Sequence, residues 1–279
     1  MYHLHLDFRQ PKETKASIWR YLALWKLEDL LEKRALYFAR PDRFEDPWEG
    51  HFTKVDIQDR LERYPHVPMD IQAAHIRQIV GLSCWHINGF ESEGFWKLYL
   101  PDNEGVAIQS TVEGLVESID DNPSQHVSIG LVTYVDYERF HIDLNNELLP
   151  LFYKRKEFEY ERELRAIVGL RRRDGRGGYH WIRSPLDGGV HVGVDLEKLI
   201  HRVVLSPGAS CDSEARVANA MKGAGIRAGR VTRSRLEDNP EYDLPLRSFE
   251  RDSTAEHPLP PGDRFRRLSG EGKFDATDT

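Results

Sequence analysis

A chain of 279 residues is long enough to bury one large hydrophobic core or two small ones. Hydrophobic residues make up 39% of the sequence and charged residues 30%, which indicates a globular protein more polar than average, and no apolar run approaches the roughly 20 residues that span a bilayer. The net charge of −7 argues against a protein that coats nucleic acid through bulk charge.

The sequence predicts short strands interspersed with helices. Leucines at helical spacing predict a helix over 24–33, and alternating apolar residues predict a long strand over 127–137. Residues 153–170 begin charged and end apolar, which predicts a helix or turn that leads into a strand. In chain order the other predicted strands are 17–22, 35–39, 81–85, 106–110, 190–194, 202–205 and 230–234. The other predicted helices are 55–79, with a break at the prolines of 65–68, and 91–100, 111–118, 196–200 and 211–223.

About eight or nine strands and six helices without a regular βαβ repeat favour an α+β fold over a doubly wound one. We predict a single mixed, mostly antiparallel sheet, whole or split in two, with flanking helices. Residues 1–237 are predicted to form one α+β domain. Residues 238–279 are rich in Pro, Asp, Glu, Ser and Gly, which predicts an acidic, mostly disordered tail.

The sequence indicates a cytoplasmic protein without a membrane partner. Its two cysteines, Cys84 and Cys211, are too few for a disulfide framework and fit a reducing cytosol. The first residues lack a basic region followed by an apolar one, so no secretory signal is predicted.

Three charged residues at the start of the last predicted apolar strand give the best candidate for a chemical site. Glu161, Glu163 and Arg165 are spaced by two, so on an extended backbone beginning by Arg162 their side chains project to one face. Charges at the mouth of a buried strand need a partner, a ligand or water. Alternatively, the three form exposed pairs that contribute about 0–1 kcal/mol.

Other candidates lie earlier in the chain. Arg20 is a candidate ligand for an anion, or it pairs with an acid of the 44–49 loop. Asp46 and Glu49 either bind substrate or cap the next helix and satisfy loop amides. Trp96 and Tyr99, one turn apart on a predicted helix, are either a stacking platform or core.

A basic residue precedes the carboxylates, and nothing indicates a metal. Lys154 either balances the carboxylates, contacts a phosphate or lies on a solvated face. The sequence has no Cys/His cluster, Walker-type loop, GxSxG elbow or HExxH motif. We therefore predict no metal site.

Several segments of the chain form a combined pattern: the early RYL, ALYFARPDRFEDPWEG after a helix, GLSCW, FWKLYLPDNEGVAIQS and KRKEFEYERELR. Together they resemble a bacterial family known as domain of unknown function 2971, and the resemblance covers roughly 18–234. The family name implies no activity. The positions that match its motifs are Phe44, Asp46, Pro47, Glu49, Trp96, Tyr99, Gly105, Lys154, Phe158, Glu161, Glu163 and Arg165.

A second pattern is the order of an arginine on an early strand, a serine on a later strand and a Glu-x-Glu pair. This order resembles ADP-ribosyltransferases, and that resemblance does imply chemistry. It implies that Arg20 holds the NAD pyrophosphate and Ser83 supports the nicotinamide ribose, although this strand reads LSCW and lacks the usual Ser-Thr-Ser. Glu163 would stabilise an oxocarbenium-like transition state, and Glu161 would orient the nucleophile. Trp96 or Tyr99 would stack on nicotinamide or adenine.

Three hypotheses follow. The first is an ADP-ribosyltransferase-like enzyme that uses NAD and a macromolecular or nucleotide acceptor, with Asp46, Glu49, Lys154 and Arg165 contacting substrate. The second is a nucleic-acid phosphodiesterase in which Asp46, Glu161 and Glu163 hold Mg²⁺. The third is a non-catalytic sensing or interaction module of a bacterial defence or toxin system, whose acidic tail binds a basic partner.

Overall fold

A main sheet of ten strands carries helices on both faces. The computed structural model describes residues 2–63, 66, 69–102, 104–142, 146–174 and 178–238. The strands in this part of the chain are β1 (Ser17–Ala23), β2 (Ala35–Ala39), β3 (Val80–Ile87), β4 (Gly105–Thr111), β5 (Gln125–Leu131), β6 (Thr133–Val135), β7 (Tyr153–Arg155), β8 (Glu163–Arg173), β9 (Tyr179–Trp181), β10 (Gly189–Gly193), β11 (Arg202–Leu205) and β12 (Val231–Arg233).

Helices connect these strands. Within the described residues, four short 3₁₀ turns, one of them at Lys156–Glu161, supplement the α-helices. The α-helices are α1 (Leu24–Lys33), α2 (Lys54–Arg63), α3 (Met69–Ile79), α4 (Glu93–Tyr99), α5 (Val112–Ser118), α6 (Leu196–Leu199) and α7 (Cys211–Gly223). None of the helices in the described ranges is long and apolar enough to cross a membrane.

The predicted fold class is confirmed. The order β10-β2-β3-β1-β4-β11-β12 forms one path of the main sheet, and β8 joins β3 to β5 and β9. Pairing within this sheet is antiparallel except between β11 and β12. A second sheet contains the parallel strands β6 and β7. The molecule is therefore α+β, with a mostly antiparallel main sheet, a small second sheet and flanking helices.

Two predicted elements are divided in the structure. The strand predicted over 127–137 is broken at Val132, so that β5 pairs with β8 in the main sheet whereas β6 pairs with β7 in the small one. Val132 itself donates its N–H to the carbonyl of Glu163 at 3.0 Å. The helical region predicted over 55–79, with a break at 65–68, is two helices, α2 and α3. The prolines at 65 and 68 predicted the second division, whereas local periodicity did not mark the break at Val132.

The side chains of the main sheet alternate between two packed faces. We call one of them the α1 face, on which leucines of α1 pack with apolar residues of α5 and α7. The opposite, α4 face packs partly against α4 and partly against α3. Sheet residues of the α1 face include Ile18, Leu22, Trp85, Ile108, Leu164 and Ala166, and those of the α4 face include Trp19, Tyr21, Leu82, Ala107 and Ile167.

The contacts of the chain place a boundary after Asp238, where one unit ends. The predicted domain of 1–237 falls inside that unit. The predicted disordered tail, 238–279, lies outside the described residues except for Asp238, and its order stays a prediction.

Candidate functional site

Five charged side chains form a buried ionic cluster on the α4 face: Glu49, Lys154, Glu161, Glu163 and Arg165. The Lys154 ammonium lies 2.6 Å from Glu161, 2.7 Å from Glu163 and 3.3 Å from Glu49. The Arg165 guanidinium lies 2.8 Å from both Glu163 and Glu49. All five side chains are at most 9% exposed. The three carboxyl groups and the two cations therefore pair with one another away from solvent.

The backbone that builds this cluster differs from the prediction. Glu161 ends the 3₁₀ turn, Arg162 takes a left-handed conformation at φ 44°, and β8 begins only at Glu163. Glu163 and Arg165 therefore share a strand face, whereas Glu161 reaches the cluster from a turn. Lys154, on β7, joins the two carboxylates, which bears out the interpretation that it balances them.

The carboxyl groups of the Glu-x-Glu pair have opposite pKa shifts. Burial, and then the neighbouring Glu163, raises the pKa of Glu161 to about 8. Burial alone would also raise the pKa of Glu163, but Arg165, with Glu161 and Lys154, lowers that pKa well below its usual value. At neutral pH Glu161 therefore holds a proton and Glu163 is ionised. A carboxyl group that is protonated at neutral pH can act as a general acid.

Much of the cluster is structural. Arg165 is fully buried, contacts Glu49 through both terminal nitrogens at 2.8 and 2.9 Å, and donates to the Leu151 carbonyl at 2.7 Å. A buried guanidinium with all of these partners holds the segments that carry them in one arrangement, and losing one partner would leave an uncompensated charge. Arg165 and Glu49, both predicted to contact substrate, are therefore enclosed in the protein interior.

The other carboxylate predicted to bind substrate, Asp46, has separate partners. Its Oδ1 accepts from Arg155 at 2.8 Å and from the Trp48 backbone at 3.0 Å. In the part of the chain that the structure describes, no three His, Cys, Asp or Glu side chains are placed to hold a metal ion. The Lys154 ammonium lies among the three carboxylates of the ionic cluster, where a shared cation would be expected.

Arg20 and Ser83 lie on the α1 face. The guanidinium of Arg20 donates to the Ser83 hydroxyl and, at 3.2 Å, to the Tyr37 carbonyl. Ser83 also accepts from the Trp85 indole at 3.2 Å, and the Arg20 guanidinium lies 5.9 Å from the centre of the Trp85 ring. Arg20 and Ser83, which the resemblance assigns to different parts of NAD, are thus in direct contact with each other.

An open groove of about 400 Å³ runs past Arg20. We call it the Arg20 groove. Asp29, on its wall, is paired with Lys33 at 2.5 Å and with His191 at 2.8 Å. Burial lowers the pKa of Arg20 to about 10, and burial together with the charge of Arg20 lowers the pKa of Lys26. The charged and aromatic residues that line the Arg20 groove are Arg20, Trp25, Lys26, Asp29, Lys33, Tyr37 and His191.

The sheet separates the two halves of the predicted NAD site. Trp19, His86 and Glu163 lie on one rung across β1, β3 and β8, so their side chains share the α4 face. Arg20 follows Trp19 in the strand and therefore points to the α1 face. The structure unites Arg20 with Ser83 and Glu161 with Glu163, but it does not bring the two pairs into one cleft.

The predicted stacking residues pack around Tyr21 on the α4 face. Trp96 is 2% exposed, contacts Tyr21 edge-on at 4.9 Å and donates its indole N–H to Glu91 at 2.9 Å. Tyr99 is 43% exposed and lies parallel to Tyr21 at 6.3 Å. Trp96 is therefore part of the core, whereas Tyr99 presents an accessible ring on the face opposite Arg20.

Sequence reasoning missed the aromatic and basic residues of α1 that line the Arg20 groove. Trp25 is 63% exposed and Lys26 lies 5.4 Å from the centre of its ring. A tryptophan on the polar side of an amphipathic helix is the signal that would have indicated a surface with a further role.

Comparison of the chain with family models, with curated proteins and with solved structures found no match in any of the three. The resemblances to domain of unknown function 2971 and to ADP-ribosyltransferases stay predictions.

Proposed function

We propose that this protein is a non-catalytic sensing module that binds a phosphate-bearing nucleotide, with NAD as the first candidate, in the Arg20 groove. The observation that carries the proposal is the charge balance at Arg20. Arg20 is half-buried, and its guanidinium donates to uncharged groups. Among the residues that the structure describes, none places a carboxylate within 4 Å of it.

A desolvated cation without a counterion is costly, and an anionic ligand would offset that cost. The planar guanidinium suits a phosphate because its N–H groups can donate to two oxygens at once. Lys26 would add a second positive charge, and the exposed Trp25 ring would offer a flat surface to a base. The carboxylate of Asp29 pairs with Lys33 and His191 and not with Arg20.

The enzyme hypotheses have less support from this geometry. A ligand held by Arg20 contacts the α1 face, whereas Glu163 points to the α4 face, so ADP-ribosyl transfer would require NAD to bind elsewhere. A magnesium phosphodiesterase would require Lys154 to leave the carboxylates that it contacts. Binding without chemistry, as in a sensing module of a bacterial defence or toxin system, requires neither change.

The proposed setting is the cytoplasm, where NAD and nucleotides are abundant. Cys84 and Cys211 are both free thiols, which is in keeping with a reducing compartment. Nucleotide binding would then be signalled to a macromolecular partner. The proposed partner is a basic macromolecule that contacts the acidic tail.

Calorimetric titration with NAD tests the proposal. We expect the wild-type protein to bind NAD, Arg20→Ala to bind it at least about tenfold more weakly, and bound NAD to remain intact over hours. Arg216→Ala is the matched control, because Arg216 is an exposed arginine of α7 paired with Glu28 at 2.8 Å outside the groove. Failure of the wild-type protein to bind NAD, ADP-ribose or ATP, or equal binding by Arg20→Ala, would remove the proposal.

A further inference from the structure

A cavity of about 90 Å³ lies on the α4 face, at the far end of the sheet from α4. We call it the Ser128 cavity. Its floor is formed by β5 and β8, where His126 is paired with Gly169 and Ser128 with Ile167. Ile76 and Ile79 of α3 form one wall, and Trp181 of β9 forms another. The lining is mostly apolar, and the cavity is separate from both the ionic cluster and the Arg20 groove.

Two polar atoms in this apolar lining lack partners. Ser128 is 2% exposed, and its hydroxyl has no hydrogen-bond partner in the described part of the protein. Nδ1 of His126 is also a buried atom without a hydrogen-bond partner among the described residues. Buried polar groups are nearly always paired, because an unpaired one loses its hydrogen bonds to water without replacement. Both atoms are therefore available for a hydrogen bond inside the cavity.

The polar end of the cavity is uncharged. Burial, and then the neighbouring His3, lowers the pKa of His126 to about 4, so its imidazole is neutral at physiological pH. The ring also stacks on His3 with centroids 4.0 Å apart. A hydroxyl and a neutral imidazole favour a neutral ligand over an ion, because neither offsets the cost of desolvating a charge.

The wall formed by Trp181 depends on a glycine. A Cβ atom at Gly169 would lie 2.6 Å from the Trp181 ring, so only glycine lets the indole pack this closely on the sheet. Trp181 is 47% exposed, which leaves its outer edge at the mouth of the cavity. Glu147 and Arg183 also line the cavity and are paired with each other at 3.0 Å. Their charges are thus balanced without a ligand.

We propose that the Ser128 cavity binds a small neutral molecule with an apolar body and one hydrogen-bonding group. The hydrogen-bonding group would contact Ser128 and His126, and the apolar body would extend past Ile167 toward Trp181. The cavity is smaller than the roughly 150 Å³ site that holds benzene in an engineered protein, so a ring-sized ligand would fill it and continue into the mouth beside Trp181. This site is independent of nucleotide binding at Arg20.

Phenol and toluene, which differ by one hydroxyl, are the probes for this site. We expect phenol to give saturation-transfer NMR signals with the wild-type protein and to bind more tightly than toluene. Ser128→Ala should weaken phenol binding about fivefold and leave toluene binding nearly unchanged, because one neutral hydrogen bond is lost. Ser110→Ala is the matched control, since Ser110 is also a buried strand serine but lies outside the cavity and donates to the Thr111 carbonyl.

A second variant tests the cavity without removing a polar group. Gly169→Ala should displace Trp181 and weaken both probes, whereas Gly223→Ala, where a Cβ meets no atom within 4 Å, should weaken neither. Thermal unfolding of each variant shows whether it is folded. Absence of phenol binding by the wild-type protein, or equal phenol binding by wild type, Ser128→Ala and Gly169→Ala, would overturn the proposal.

Discussion

Arg20 and Glu163 point to opposite faces of one sheet from neighbouring rungs. Trp19 and Glu163 are both paired with His86 of β3, and Arg20 is one residue beyond Trp19. The side-chain period of a strand is two, so a difference of one residue is sufficient to place two side chains on opposite faces. As a result, the two residues that the predicted NAD site would combine, Arg20 for the phosphates and Glu163 as the acidic residue, lie on different faces of the sheet.

Replacement of Arg165 tests the structural role of the ionic cluster. We expect Arg165→Met to lower the free energy of unfolding by about 3–5 kcal/mol, because Glu49 and Glu163 lose their shared guanidinium while they remain buried. Urea unfolding measures this change. Arg216→Met removes an exposed arginine that is also paired with a glutamate and should cost less than about 1 kcal/mol. Similar small losses for both variants would contradict the structural role.

The raised pKa of Glu161 predicts a pH dependence of stability. Because this pKa is about 8 in the folded protein and near 4.5 for an ordinary glutamate in the unfolded chain, the folded state binds more protons between these values and its stability falls as the pH rises. Glu161→Gln removes this titration and keeps the shape of the side chain. We expect the wild-type protein to lose stability relative to the variant between pH 5 and 8, by up to about 1.4 kcal/mol per pH unit.

The control for this experiment is Glu93→Gln, since Glu93 is exposed and paired with Lys97 on α4. Its stability should follow the wild type closely over the same pH range. A wild-type curve parallel to that of Glu161→Gln would show that Glu161 is ionised throughout and would contradict its assignment as a protonated acid.

Replacement of Lys154 should make the protein most unstable at high pH. Lys154→Met leaves Glu49, Glu161 and Glu163 without their common ammonium, so like charges remain buried together. We expect a loss of several kcal/mol at pH 8 and a smaller loss at pH 5.5, where protonation relieves the repulsion. Thermal unfolding at the two pH values measures the difference.

Lys97→Met is the matched control, because Lys97 is 74% exposed in its pair with Glu93. Its effect should be below about 1 kcal/mol. A Lys154→Met effect that is the same at both pH values would show that repulsion among the carboxylates is not its cause.

The elements that follow from local patterns were predicted well. The leucine spacing of 24–33 reproduces α1, whose leucines are buried, and the helix predicted over 211–223 reproduces α7. The spacing of Glu163 and Arg165 also placed both side chains on one strand face. Each of these results depends on a periodicity that neighbouring residues create by themselves.

The arrangement of the candidate site could not be predicted in the same way. The face on which Arg20 lies relative to Glu163 depends on the register between β1, β3 and β8, which pair residues far apart in sequence. The left-handed conformation of Arg162 keeps the strand from extending back to Glu161. Pairing of Lys154 with the carboxylates was one of the three interpretations offered by the sequence. Its contact with Glu49 could not be predicted, because the two residues are far apart in the chain.

Calorimetric comparison of NAD binding by Arg20→Ala and Glu161→Gln tests the central claim most directly, namely that the nucleotide binds at the α1 face and independently of the ionic cluster. We expect Glu161→Gln to bind NAD as the wild-type protein does, and Arg20→Ala to bind it at least about tenfold more weakly. Loss of NAD binding in Glu161→Gln with retention in Arg20→Ala would contradict the claim and move the ligand to the α4 face.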